Sequence, residues 1–124
     1  MPNPTDTKTT IASLRKTMQK FVNEREWNKY HTPKNLAGSV AVEAAELLEL
    51  FQWLTPEEAI EKSNNNLEFR QAVAEELSDV LMYLMSLANA LDLDVSSSVA
   101  AKMKKNRLKY PTEKVKGHYD RPRK

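Results

Sequence analysis

A chain of 124 residues with 40% hydrophobic content has room for one domain with a real core. Its net charge of +2 is too small for a general nucleic-acid binder, so no stable nucleic-acid partner is expected. No cysteine means no disulfide or thiol chemistry, and no apolar run or secretory core means no membrane, so a cytoplasmic protein is expected.

Residues 1–10 read as a flexible lead-in. Ile11, Leu14, Met18, Phe21 and Val22 then recur at helical spacing and give a first helix running to about Glu24. Glu26 to Asn35 mixes aromatics with polar groups around Pro33 and reads as a loop. A second helix is expected over Leu36–Leu54. Thr55-Pro56-Glu57-Glu58 supplies an N-cap, a proline at the first helical position and a capping-box glutamate, so a short helix follows. Ser63–Asn66 links it to a third long helix over Leu67–Leu91, and Asp92–Asp94 turns the chain into a fourth over Val95–Tyr110. Pro111 ends that helix, and the basic stretch 112–124 is expected to be a flexible tail. Two glycines and a sustained 3.6-residue period predict an all-α protein. The architecture expected is an antiparallel bundle of four main helices plus a short connecting helix, with one domain over residues 11–111.

Two i, i+3 carboxylate pairs stand out, Glu43 with Glu46 and Glu76 with Asp79. Such spacing sets both members of a pair on one helix surface. Leu36, Val40, Ala44, Leu47, Phe51 and Leu54 form an apolar stripe with Glu43 near its middle and Glu46 roughly 80° to one side. On the third long helix the stripe is Val73, Leu77, Val80, Leu84, Ala88 and Leu91. Glu76, Tyr83 and Asp79 lie along its edge, roughly 60°, 80° and 120° from its centre.

Most such pairs are solvated, as Glu57, Glu58 and Glu61 are expected to be, and Glu49 reads first as surface too. A charge inside an apolar stripe costs on the order of several kcal/mol unless it is paired or coordinated. Neither acid-bearing stretch, Val40–Leu54 or Gln71–Leu91, contains a lysine or arginine. A cation held by Glu43, Glu46, Glu76 and Asp79 is the expected compensation. An all-oxygen ligand set favours Mg²⁺, with Mn²⁺ as a substitute, and disfavours zinc-type chemistry. Mg²⁺ completes its shell with water and phosphate oxygens, which points to a phosphate-bearing substrate.

No nucleophilic triad and no glycine-rich phosphate loop is present, so the metal and side chains must hold the phosphates. Lys102, Asn106 and Lys109 share a helical face and Arg107 adds a fork of donors, although a solvated basic helix end complementing the macrodipole explains them equally. Trp27, Tyr30, His31 and Trp53 are candidates for stacking on a base, whereas Phe21, Phe51 and Phe69 read as core.

Glu43-x-x-Glu46 followed by Glu76-x-x-Asp79 resembles the signature of the MazG-like, all-α nucleoside triphosphate pyrophosphatases. The stretches Glu24–Leu36, Glu49–Trp53, Glu75–Tyr83 and Lys102–Pro111 extend the likeness to that family's dCTP pyrophosphatase branch. The resemblance implies a homodimer or homotetramer and Mg²⁺-dependent cleavage of a dNTP to dNMP and pyrophosphate. It casts Glu43, Glu46, Glu76 and Asp79 as metal ligands and Trp27 to His31, Trp53 and Tyr83 as nucleotide contacts. Lys102, Asn106, Arg107 and Tyr110 match its phosphate-associated segment. Glu46 and Glu49 both remain as acceptors of the attacking water's proton. Met18 stands where that branch typically has a pocket histidine, which opens a broad-specificity or dUTP-preferring alternative. A helical scaffold whose acids form salt bridges is the non-enzymatic alternative.

Overall fold

The computed structural model describes residues 3–118. Expectations for residues 1–2 and 119–124 lie outside the described residues. Six helices follow one another: α1 (Ile11–Glu24), α2 (Pro33–Glu49), α3 (Pro56–Asn65), α4 (Leu67–Leu91), α5 (Val95–Lys109) and α6 (Thr112–Val115). The described residues contain no strand, so the protein is all-α.

Local chemistry explains most boundaries. Thr10, Thr32, Thr55, Asn66 and Asp94 each cap a helix by accepting a backbone N–H bond in the first turn. At α3 the cap is reciprocal, with the Glu58 carboxylate accepting from the Thr55 N–H at 2.9 Å. Two boundaries differ from those read in the sequence. Pro33 opens α2 instead of sitting in a loop, because at the first helical position its missing N–H has no partner to lose. At its other end α2 tightens into three-residue bonds, Phe51 N–H to the Leu48 carbonyl and Leu54 N–H to the Phe51 carbonyl, both 2.9 Å. Pro56 requires an extended Thr55, so no regular helix reaches Leu54.

The chain divides into two compact units, residues 1–92 and 93–124, a division inside the 11–111 span read as one domain. In the first unit α4 is the central helix, packed by α2, α1 and α3. Val22, Leu36, Phe69, Met85 and Ala88 are its buried apolar residues, and Phe51 meets Phe69 edge-on at 5.3 Å. The second unit is α5 with α6, whose four residues occupy part of the basic stretch after Pro111.

The inward face of α4 is rotated from the stripe expected. Leu77, Leu84 and Leu91 are exposed, whereas Phe69 is buried and Val73, Glu76, Val80, Tyr83 and Leu87 are half-buried. The true inward face is therefore centred roughly 80° from Leu77, with Glu76 and Tyr83 near its middle. A helix apolar over so wide an arc does not announce which part faces its own core.

Candidate active site

Glu43 occupies the middle of the inward face of α2, flanked one or two turns away by buried Leu36 and half-buried Leu47 and Leu50. Glu76 does the same on α4. Packing of α2 on α4 then brings Glu43, Glu46 and Glu76 together, with one carboxylate oxygen from each lying within 4.8 Å of the others. Glu43 and Glu76 are half-buried and Glu46 is exposed at the rim.

The electrostatics of this cluster are unfavourable for three carboxylates alone. A hydrogen bond shared with Glu46, burial, and the charges of Glu46, Asp79 and Glu76 push the Glu43 carboxyl up from 4.5 to about 6. Glu76 is raised as well, first by burial and then by Glu46 and Asp79. Each of the two also holds a buried oxygen, Oε2, without a hydrogen-bond partner. Basic side chains do not relieve this, since the ion pairs of the described residues join Glu24 to Lys20 and Arg25. Buried, unpartnered carboxylate oxygens converging on one point are the donor set a hard divalent cation requires, so the residues fit such an ion. Asp79 adds its charge but supplies no oxygen to the three-carboxylate set; it lines the neighbouring cavity instead.

That cavity, of about 420 Å³, lies between α1, the segment before α2, and α4. Met18, Phe21, Trp27, His31, Asp79 and Tyr83 form most of its wall. His31 and Tyr83 stack with centroids 6.4 Å apart, and Trp27 meets Phe21 edge-on at 5.8 Å. An aromatic enclosure with Asp79 in its wall, one turn from Glu76 of the cluster, suits a planar base carrying phosphates.

Trp27 reaches the cavity through the way α1 ends. Glu26 adopts a left-handed conformation, φ 55°; its N–H bonds the Asn23 carbonyl and the Trp27 N–H bonds the Val22 carbonyl, each at 3.0 Å. Those two bonds, with Trp27 packed on Phe21, make a Schellman cap in which glutamate stands where glycine is usual. Phe21 corrects its expected core role: it is 41% exposed and lines this cavity. Thr17 and Met82 were missed as well, because neither residue type carries a signal until α1 meets α4.

Other candidates lie elsewhere. Tyr30 is exposed and Trp53 is 86% exposed on the turn after α2, and neither lines the aromatic cavity. Glu49, one turn beyond Glu46, is exposed and outside the three-carboxylate set. In the second unit, Lys102 and Arg107 are exposed on α5 and Asn106 and Tyr110 half-buried. The Tyr110 N–H bonds the Asn106 carbonyl at 2.8 Å, and the Lys109 ammonium lies 5.5 Å from the Tyr110 ring.

A family model described as the MazG-like family matches residues 39–120, a span that takes in all four acids. The chain belongs to the MazG-like family. This MazG-like chain is similar to dCTP pyrophosphatase 1 of Bos taurus, 39% identical over 108 residues that make up 87% of it and 63% of the relative. The human dCTP pyrophosphatase 1 is 41% identical over 102 residues, 82% of this chain and 59% of that one. The chain thus spans about three-fifths of the length of these curated relatives. A crystal structure of a pyrophosphatase from Archaeoglobus fulgidus superposes with a TM-score of 0.75 at 38% identity, covering 90% of this chain and 98% of that one. No helix among the described residues is long and apolar enough to cross a membrane.

Proposed function

We propose that this MazG-like chain is a cytoplasmic, Mg²⁺-dependent nucleoside triphosphate pyrophosphohydrolase that cleaves dCTP, and modified dCTP, to the monophosphate and pyrophosphate. The observation that carries the reading is the convergence of three carboxylates with two unpartnered buried oxygens beside an aromatic cavity. The relatives the chain resembles, dCTP pyrophosphatase 1 of Bos taurus and a pyrophosphatase of Archaeoglobus fulgidus, agree with it.

Glu43, Glu46 and Glu76, with Asp79 from the cavity side, would hold the cation. When bound, it would supply positive charge to the triphosphate oxygens and lower the pKa of nearby water. Trp27, His31 and Tyr83 would hold the base, with Tyr30 and Trp53 as outer stacking faces. Water attacks the α-phosphorus, the bond from that phosphorus to the bridging oxygen breaks, and pyrophosphate leaves with the bonding pair. Glu46, at the rim of the cluster, and Glu49 one turn on are the two carboxylates proposed to take the water's proton. Lys102, Asn106, Arg107 and Tyr110 would contact the phosphates.

Met18 in the cavity wall favours a second reading, a broad-specificity or dUTP-preferring enzyme, since a thioether cannot read a base edge as an imidazole can. A panel of dCTP, 5-methyl-dCTP, dUTP, dTTP and dATP followed by ³¹P NMR separates the two. Pyrophosphate formed fastest from the cytosine nucleotides, and only with Mg²⁺, is the expected result. Equal rates across the panel would select the broad enzyme, and no turnover of any triphosphate would return the acids to a scaffold role.

A further inference from the structure

Phe21 and Trp27 both stand in the wall of the aromatic cavity, yet burial does little to hold them. Their rings meet edge-on at 5.8 Å, and the two residues are 41% and 42% exposed. A phenylalanine this open, on the last turn of a helix, keeps its rotamer freedom unless a neighbour restrains it. Arg25, one turn later at the C-cap of α1, is that neighbour. Its guanidinium carbon lies 3.7 Å from the centre of the Phe21 ring, and its Nη1 donates to the Phe21 carbonyl at 3.1 Å. Arg25 thus grips one residue twice, by its ring and by its backbone.

Neither an ion pair nor a helix-end charge accounts for this geometry. Glu24 lies 3.7 Å from the guanidinium, but its side chain is exposed and Lys20 already reaches it at 3.8 Å. Exposed pairs of that kind contribute little. A cation at a helix C-terminus complements the macrodipole, but a lysine would do so equally. What a lysine would not reproduce is the close stack. Lys29, Lys62 and Lys109 stand 5.1, 4.8 and 5.5 Å from the centres of the rings they face, whereas the planar guanidinium of Arg25 comes to 3.7 Å. A ring covered at that distance on one face meets the cavity through its other face or its edge.

We infer that Arg25 is a positioning residue for ligand recognition, which clamps Phe21 from outside the cavity wall and through Phe21 sets where Trp27 stands. The clamp fixes the wall before a ligand arrives, so binding does not have to order two aromatic side chains. A planar base is the ligand class that such a wall serves. Arg25 lies outside both the cavity wall and the three-carboxylate set, so its effect belongs to binding and not to the bond-breaking step. Its importance for turnover rests on the pyrophosphohydrolase reading, but its hold on the two rings does not.

Arg25→Met keeps a long side chain and removes the cation and its donors, whereas Arg25→Lys keeps the helix-end charge and loosens the stack. The indole proton signals of Trp27, recorded without ligand, are expected to move in Arg25→Met, because the Phe21 ring current acts on them. Those of the exposed Trp53 are expected to stay. With dCTP and Mg²⁺, KM is expected to rise about fivefold in Arg25→Met, the size of one cation–π contact, while kcat stays within about twofold. Arg25→Lys is expected to fall between the parent and Arg25→Met. Unchanged Trp27 signals in Arg25→Met would overturn the inference whatever the kinetics. A parent-like KM in Arg25→Lys would also overturn it, since the helix-end charge would then suffice. If Arg25→Met loses its helical signal, Arg25→Lys decides by the same two readings. If the parent protein turns over no triphosphate, the functional reading fails, and the Trp27 signals still decide the role of Arg25.

Discussion

Glu43 and Glu76 bind protons more tightly in the folded protein than in the unfolded chain. The Glu43 value, raised from 4.5 to about 6, means that its contribution to stability is full below 4.5 and is lost as pH rises through about 6. Glu76 is shifted in the same direction. Glu58 runs the other way: the Thr55 backbone and hydroxyl lower its pKa, so its contribution is present above 4.5 and lost as pH falls through its lower folded value. In the presence of a chelator, melting temperature is expected to rise from pH ~7 to pH ~5, with a smaller rise in Glu43→Gln. A flat profile over that window would contradict the electrostatics assigned to the cluster. Saturating Mg²⁺ at about 100 times its dissociation constant should add about 2.7 kcal/mol of stability, seen as a shift in the denaturation midpoint and absent in Glu43→Gln. The sequence made Glu43 legible, because an acid in the middle of an apolar stripe with no nearby cation has few explanations. The cavity-lining role of Phe21 was not legible, because it depends on α1, the segment before α2, and α4 meeting, which no local pattern encodes.

At the level of elements, caps were readable where chemistry is local and opaque where it is not. Thr55-Pro56-Glu57-Glu58 gave α3 its start, but the same logic at Thr32-Pro33 was masked by the aromatic residues around it. The Schellman cap of α1 was invisible because no glycine marks it; Glu26 adopts φ 55° instead. A left-handed conformation costs a residue with a Cβ about 1–2 kcal/mol, part of which glycine would return through greater freedom in the unfolded chain. Glu26→Gly is therefore expected to stabilise the protein by up to about 1 kcal/mol in urea denaturation while Trp27 keeps its place. Destabilisation would mean that the Glu26 side chain makes a contribution beyond the cap. The orientation of α4 was the larger misreading. Leu77, Leu84 and Leu91 look like a core stripe by period alone, and only the packing of α2 and α1 reveals that Glu76 and Tyr83 face inward.

For the whole molecule, that same leucine row is where we propose that the homodimer or homotetramer implied by the family resemblance makes its contact. Leu77, Leu81, Leu84 and Leu91 are between 38% and 53% exposed along one side of α4, more contiguous apolar surface than isolated exposed residues present. Each leucine buried in a subunit contact would stabilise assembly by about 1.5–3 kcal/mol. Light scattering should accordingly give a multiple of the 14.2 kDa chain mass, and Leu77→Glu combined with Leu84→Glu should reduce it. A parent protein that is already monomeric would contradict this assignment. The central claim is that the carboxylate cluster is a cation site serving triphosphate cleavage, and pyrophosphate release from dCTP by Glu43→Gln tests it most directly. With Mg²⁺ present and the helical signal intact, the rate is predicted to fall about a hundredfold or more. A Glu43→Gln rate within about twofold of the parent enzyme would contradict it.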